Sequence, residues 1–135
     1  MIPALIYKDA PAAIEFLGKA FGFEKHLVVP GEGNVIHHAE LSLGGLMVML
    51  GSAQSGSEYS NRVRTPKENG GFVTQSPYIV VDDPDGFHER AKKHGAVIDI
   101  KDEDHGGRGF TCADPEGNLW NFGSYDPWKS APQGT

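Results

Sequence analysis

The sequence is poor in the residues that would place it in several classes of protein. It holds a single cysteine, Cys112, so no internal disulfide can form and a metal cluster built on cysteines is excluded. No run approaches the roughly 18 apolar residues of a membrane-spanning helix, and no basic-then-apolar leader opens the sequence. The 12 Lys and Arg residues are outnumbered by 18 Asp and Glu, and this acidic balance argues against non-specific binding to nucleic acid or to an anionic membrane. These shortages predict a cytoplasmic protein with neither nucleic acid nor membrane as a partner.

Glycine is abundant, and the rest of the composition is ordinary. The 135 residues include 18 glycines, while 39% of residues are hydrophobic and 22% are charged. So many glycines indicate numerous tight turns, as in a strand-rich fold. The length suits one compact unit or two half-size modules that share a core.

The same order of elements is predicted twice along the chain: strand, helix and three strands. The strands of the first half are predicted over residues 2–8, 23–30, 35–43 and 46–50. Those of the second half are predicted over residues 76–82, 96–101, 110–113 and 119–123. The helices begin at Asp9 and Asp83, each a suitable N-cap followed closely by proline, and they end at Gly22 and Gly95.

A constant spacing between matching residues supports an internal repeat. Five residues of the first half recur 74 positions later, namely Pro3, Leu5, Asp9, Glu15 and Lys19. Gly45, Gly51 and Ser52 recur 72 positions later. Such agreement over whole elements predicts two βαβββ modules. We expect modules over residues 1–52 and 74–125, a linker or lid loop over 53–73, and a C-terminal tail over 126–135.

The hairpin at the end of the second module carries a family resemblance. Asp114-Pro115-Glu116-Gly117 has proline second and glycine fourth, which is strong turn chemistry. Residues 119–122 then form an apolar and aromatic strand interrupted by Asn121. Asp-Pro-x-Gly-Asn before an aromatic strand resembles the closing hairpin of the vicinal oxygen chelate superfamily, which includes glyoxalase I, extradiol dioxygenases, fosfomycin-resistance enzymes and bleomycin-binding proteins. The resemblance implies an α+β fold in which two tandem βαβββ modules form a cupped mixed sheet.

The same resemblance implies where a metal would be bound. Metalloenzymes of the superfamily place His or Gln near the start of the first strand of a module and Glu on its fourth strand. The corresponding positions here hold Ile2 and Ser76, and Met49 and Asn121. Isoleucine and a thioether offer nothing to a hard cation, and neutral Ser and Asn oxygens alone cannot offset its dehydration. We therefore expect no metal and no cofactor at this place.

The strand period of two separates predicted pocket residues from predicted core residues. The predicted cavity lining is Ile2, Ala4, Met47, Met49, Ser76, Tyr78, Leu119 and Asn121. The predicted core is Leu5, Val48, Leu50, Ile79, Val81, Trp120 and Phe122. A soft, apolar and aromatic lining with a few polar groups is typical of a small-molecule pocket. The alternative is that side chains fill the cup. Tyr59, in the predicted loop, is expected to close over the cavity as a ligand contact.

Several polar residues outside this lining have competing interpretations. His38 and Glu40 share the cavity face of their strand. They are an acid/base pair, part of a second metal site without an evident third ligand, or a solvated or hydrogen-bonded polar pair. His88 and His94 lie among charged residues of the second helix and are predicted to be at the surface. The glycine-rich segment 105–109 is predicted to be a hairpin loop rather than an anion site, and Cys112 a packed residue rather than a nucleophile.

The sequence thus favours a metal-independent homodimer that sequesters a small aromatic or amphipathic molecule, such as an antibiotic. One alternative is a metal-dependent lyase or dioxygenase of the same superfamily. Another is a metal-free enzyme that uses His38 or Glu40 as its base.

Overall fold

Two copies of one arrangement make up the chain. The computed structural model describes residues 1–129, so the end of the predicted tail lies outside the described residues. The first copy comprises β1 (Ala4–Tyr7), α1 (Ala10–Phe21), β2 (Glu24–Pro30), β3 (Ile36–Leu43) and β4 (Leu46–Ser52). The second copy comprises β5 (Tyr78–Val80), α2 (Pro84–Ala91), β6 (Ala96–Asp102), β7 (Arg108–Ala113) and β8 (Leu119–Gly123). The predicted α+β fold of two βαβββ modules is confirmed.

Each module forms its own four-stranded mixed sheet. The strand orders are β1-β4-β3-β2 and β5-β8-β7-β6. In each sheet the first strand of the module runs parallel to the last one, and the remaining neighbours are antiparallel. The helix between the first two strands makes this parallel pairing possible, because a parallel pair needs a long crossover connection.

Helix α1 has the ends that its sequence predicts. The Asp9 side chain accepts a hydrogen bond from the Ala12 N–H at 3.1 Å. Gly22 closes the helix at φ 86°, a left-handed conformation that glycine adopts without steric cost. The stripe Ile14, Leu17 and Phe21 is buried. Between its two caps, the helix therefore covers its sheet with one apolar face.

The two modules share one core, with α1 at its centre. The ring of Phe21 lies 4.7 Å from that of Phe122 and 5.7 Å from that of Trp120, measured between centroids. Both partners belong to β8 of the second module. Arg90 of α2 also donates hydrogen bonds to the Lys19 and Gly18 carbonyls at the end of α1. The helices therefore pack together between the sheets, and one face of each sheet is turned away from them.

A polar connection adds to this core at the turn before β8. The buried Asp114 carboxylate accepts hydrogen bonds from the Tyr7 hydroxyl at 2.7 Å and from the Trp120 indole N–H at 3.1 Å. The Glu116 carboxylate accepts from the backbone N–H groups of Lys8 and Asp9. The turn that carries the family resemblance thus fastens the second module to the start of α1.

The second helix differs from its prediction in two respects. Helix α2 ends at Ala91 rather than reaching Gly95, and the chain continues as turns. Gly95 allows a close approach instead, because a Cβ atom there would lie 3.0 Å from the Phe16 ring and from the Ala113 carbonyl. The surface prediction for His88 is wrong: its ring is buried and packs edge-on against Phe110, with centroids 5.2 Å apart.

The segment between the modules is more ordered than its polar sequence indicates. It contains three short 3-10 helices, Ala53–Ser55, Ser60–Arg62 and Pro66–Asn69. Thr65 and Pro66 are buried. The Thr65 hydroxyl donates to Glu68 at 3.0 Å, and this hydrogen bond lowers the pKa of the Glu68 carboxyl. Pro66 packs against the turn at Gly117.

Neither helix of the described chain is long and apolar enough to cross a membrane.

Candidate ligand-binding site

The face of each sheet that is turned away from the helices is called its open face here. Burial alternates along the strands as predicted. Val48 and Leu50 of β4 are buried, whereas Met47 and Met49 are partly exposed. Trp120 and Phe122 of β8 are buried, whereas Leu119 and Asn121 are partly exposed. The predicted lining residues of these two strands therefore lie on the open faces.

Backbone register aligns one residue from each strand into a row across each open face. The row of the first sheet is Ala4, Met49, Glu40 and Leu27. The row of the second sheet is Tyr78, Asn121, Thr111 and Ile98. Met49 and Asn121 thus occupy equivalent places in the two modules. Ile2 and Ser76 occupy the other two positions at which related metalloenzymes carry metal ligands. Both residues are exposed and lie just before β1 and β5.

The two open faces do not face each other within the chain. Because α1 and α2 pack together between the sheets, the open faces lie on opposite sides of the shared core. The residues of the predicted lining are therefore divided between two separate surfaces. Residues 1–129 of one chain therefore form no cup with a sheet on either side.

Asn121 is fully engaged by its own chain. Its amide oxygen accepts from the Thr111 hydroxyl at 2.7 Å. Its amide nitrogen donates to the Ser76 hydroxyl and to the Pro77 carbonyl, both at 2.9 Å. An amide NH₂ has two hydrogens, so neither donor remains for a ligand. Asn121 therefore holds the start of β5 in place, and a carboxylate could not do so because it has no hydrogen to donate.

Tyr78 lies flat on the second open face because of Gly123. A Cβ atom at Gly123 would be 2.5 Å from the Tyr78 hydroxyl oxygen and 3.1 Å from its ring. The hydroxyl donates to the Tyr125 carbonyl at 2.8 Å. Partial burial raises the pKa of Tyr78 above its ordinary value, so this hydroxyl remains a donor at neutral pH. The ring is 44% exposed and forms a fixed aromatic surface.

An open pocket of about 280 Å³ surrounds this ring. Its wall includes Ile98 and Thr111 of the second row together with Tyr125 and His105. The rings of His105 and Tyr125 meet edge to face, with centroids 4.7 Å apart. This volume is near the lower limit for small-molecule sites, which range from about 300 to 1,000 Å³. Within residues 1–129 of one chain, this pocket therefore stays open to solvent.

The glycine-rich segment 105–109 has no free guanidinium for an anion. Arg108 forms ion pairs with Asp85 at 3.2 Å and with Asp102 at 3.4 Å. These hydrogen bonds raise the pKa of Arg108 further. The segment joins β6 to β7, which agrees with the predicted hairpin loop.

His38 and Glu40 lie on the first open face and are hydrogen bonded. His38 Nε2 is 2.9 Å from Glu40 Oε2. The other oxygen, Oε1, lies 3.9 Å from His26 Nε2. His26 comes to this face through a β-bulge, since the register of β2 shifts between Lys25 and Leu27. Strand periodicity does not predict this contact, because a bulge breaks the period of two by which faces are assigned.

The burial of Cys112 agrees with its prediction as a packed residue, whereas the position of Tyr59 does not test its predicted role. Cys112 is buried, and burial raises the pKa of its thiol to about 11, so the nucleophilic thiolate is scarce at neutral pH. Tyr59 is 53% exposed and does not line the pocket around Tyr78. Its predicted role in closing a cavity stays a prediction.

The described residues include no group of three or more His, Cys, Asp or Glu side chains arranged to hold a metal ion. At the positions where related metalloenzymes carry ligands, Met49 offers a thioether and Asn121 a neutral amide oxygen that already accepts from Thr111. Within residues 1–129, the donor set does not fit the metal of the related metalloenzymes.

The fold and the sequence together identify a superfamily for this chain. The sequence model of the Glyoxalase/Bleomycin resistance protein/Dioxygenase superfamily matches residues 3–122, and the chain belongs to this superfamily. An uncharacterized protein of Mycobacterium bovis is 32% identical over 123 residues, which are 90% of this chain and 80% of the relative.

Two solved structures are similar over nearly their whole length. TioX from Micromonospora sp. ML1 superposes with a TM-score of 0.71 at 30% identity, over 91% of this chain and 95% of TioX. The bleomycin-binding protein of bleomycin-producing Streptomyces verticillus, in complex with copper(II)-bleomycin, has a TM-score of 0.62 at 22% identity. That match covers 93% of this chain and 95% of the other. At this identity it shows a common fold.

Proposed function

We propose that this protein binds and sequesters a small aromatic or amphipathic molecule, such as an antibiotic, without a bound metal. The observation that carries the proposal is the Tyr78 ring, held flat over Gly123 and hydrogen bonded to Tyr125 on an open face. A ring fixed in this way stacks on an aromatic ligand at little cost in conformational entropy. The cytoplasmic location predicted from the sequence belongs to the same proposal.

The protein would act as a homodimer. Both open faces carry exposed apolar side chains, including Leu27 at 45% and Ile98 at 64%. In a twofold dimer, the first open face of each chain lies opposite the second open face of its partner. One symmetry operation then closes two equivalent cups. The pocket around Tyr78 becomes one wall of each cup, and the Met49–Glu40 row becomes the other.

Bleomycin is a reasonable first ligand because a structural relative binds it. Isothermal titration with bleomycin and a panel of planar aromatic antibiotics should find a compound that binds once per chain and is recovered unchanged. EDTA should leave the affinity for this compound unaltered.

Tyr78→Ala should weaken binding about tenfold, the effect of losing one aromatic contact and its buried area. Leu46→Ala, which alters an exposed residue near the β3–β4 turn, is the matched control. A transition metal in stoichiometric amount in the purified protein, or no binding by any compound, would contradict the proposal.

A metal-free enzyme is the second candidate, and the hydrogen bond between His38 and Glu40 favours it. A carboxylate and an imidazole in contact can pass a proton to and from a bound carbon acid. Conversion of the bound compound, abolished by Glu40→Gln but not by EDTA, would support this candidate over simple binding. The lyase and dioxygenase alternatives need a metal-ligand set that residues 1–129 do not bring together.

A further inference from the structure

The carboxylate of Glu40 lies between two apolar neighbours in its row on the first open face. Its neighbours in the row are Met49 of β4 and Leu27 of β2. The side chain is 24% exposed, so it is largely withdrawn from water. A carboxylate in such surroundings is favourable only with a positive or hydrogen-bonding partner.

One oxygen of this carboxylate has a partner and the other does not. Oε2 is 2.9 Å from His38 Nε2. An ionised carboxylate can only accept, so this nitrogen carries the hydrogen. Oε1 is 3.9 Å from His26 Nε2, which exceeds hydrogen-bonding distance, and no residue of the described chain donates a hydrogen bond to it. His38 therefore fixes the carboxylate and leaves Oε1 available.

Within residues 1–129, the strands of the first sheet place no Lys or Arg on its open face. Lys25 is the single Lys or Arg of the four strands β1 to β4. Its cross-strand partner is the buried Leu41, so Lys25 belongs to the helix-covered side. Glu24, at the start of β2, is the other acidic residue on the open side, where it pairs with Ser42. The face is therefore negative, in a chain of net charge −6.

We infer that Glu40 is a recognition site for a cationic group, a protonated amine or an amidine, on the aromatic ligand. The ammonium N–H groups of the ligand donate to Oε1, while its hydrocarbon part contacts Met49 and Leu27. This inference rests on the proposed function, because the two-chain cup brings a ligand stacked on Tyr78 within reach of Glu40. It adds the charge of the ligand, which neither the fold nor its relatives specify.

A pair of dyes that differ in charge tests the inference. 9-Aminoacridine is cationic at neutral pH, and acridine, its parent ring, is neutral. Fluorescence titration of the full chain should show 9-aminoacridine binding about tenfold more tightly than acridine, as expected for one charge-assisted hydrogen bond. Glu40→Gln should remove this preference, and Glu40→Asp should keep part of it.

Two further variants separate the possible failures. Glu24→Gln removes an equal charge from the same face and should keep the preference for 9-aminoacridine. Loss of this preference in Glu24→Gln would show that the overall negative charge of the face, rather than Glu40, selects the cation. Tyr78→Ala should weaken both dyes by the same factor. Equal binding of the two dyes by the wild type would overturn the inference and leave the proposed function standing. Failure of both dyes to bind would overturn the inference, and the proposed function would be contradicted as well if no compound of the antibiotic panel binds. A preference that persists in Glu40→Gln, or that needs added zinc, would also overturn the inference.

Discussion

Tyr7 and Asp114, which are 107 residues apart in the chain, share a buried hydrogen bond of 2.7 Å. Tyr7 ends β1 of the first module, and Asp114 begins the turn before β8 of the second. The same carboxylate oxygen also accepts from Trp120, and the other oxygen accepts from the backbone N–H groups of Glu116 and Asn118. One aspartate therefore both shapes the turn and joins the modules.

Removing the Tyr7 hydroxyl should destabilise the whole protein. In Tyr7→Phe the ring remains, but Asp114 loses a donor inside the core. A hydrogen bond to a charged group contributes about 1.5–3 kcal/mol, so the free energy of unfolding should fall by that amount. Urea denaturation followed by circular dichroism measures it. Tyr59→Phe, at an exposed tyrosine, should change the free energy by less than about 0.5 kcal/mol. Equal effects of the two substitutions would refute the structural role of this bond.

The protein should lose stability in alkali. Burial raises the pKa of Tyr7 well above its ordinary value and that of Cys112 to about 11. In the unfolded chain these groups ionise at lower pH, with pKa values of about 10 and 8.5, so the unfolded state binds fewer protons than the folded state in alkali. The free energy of unfolding should therefore decrease as pH rises from about 9 to 11. Urea titrations at a series of pH values measure the slope. Cys112→Ala should make the slope of the free energy of unfolding against pH less steep. The smaller side chain also lowers stability, but by the same amount at every pH. An unchanged slope would show that the thiol does not contribute.

A methyl group at Gly123 should disturb ligand binding. In Gly123→Ala the new Cβ collides with the Tyr78 hydroxyl, so the ring must leave its position on the sheet. Affinity for an aromatic ligand should drop about tenfold, as in Tyr78→Ala. Gly45→Ala is the control, since a Cβ there meets nothing within 4 Å. Titration calorimetry on both variants decides the matter: undiminished affinity in Gly123→Ala would mean that the ring is not a ligand contact.

Exchanging the Asn121 amide for a carboxylate should loosen the start of β5. Asn121→Asp cannot donate to the Pro77 carbonyl, and it places two acceptors face to face. The expected loss is about 1–3 kcal/mol in the free energy of unfolding, the usual cost of an unsatisfied polar group.

Thermal melts with and without nickel, zinc or manganese test whether the protein binds a metal. The wild type should show no metal-dependent rise in melting temperature, because a metal that does not bind the native state cannot stabilise it. A rise that disappears in Asn121→Ala would identify a metal centre.

A charge on the open face should separate the proposed dimer. Ile98→Glu puts a carboxylate at the most exposed position of the second row, and sedimentation velocity should then detect monomers. Leu46→Glu adds the same charge to an exposed leucine off the open face and should leave the dimer intact. A wild type that sediments as a monomer at all concentrations would rule out the two-chain cup.

Sequence periodicity was sufficient to predict the fold, because the order of strands and helices recurs in the second half of the chain. Helix caps at Asp9 and Gly22 and the alternation along β8 follow local rules. The sites needed longer-range information. His26 reaches Glu40 through a bulge, and Asn121 is committed to Ser76 and Pro77 by contacts that a strand pattern does not encode. His88 appeared to be at the surface because its neighbours are charged, yet the helix turns that one ring towards Phe110.

The position of Phe21 couples the unfolding of the two modules. This ring belongs to the first module but rests on Trp120 and Phe122 of the second. Unfolding of one module would remove core contacts from the other. We therefore expect the two modules to unfold together, although the sequence repeats. Both open faces are supported by one shared core. A ligand held at one face would stabilise the face on the far side without touching it.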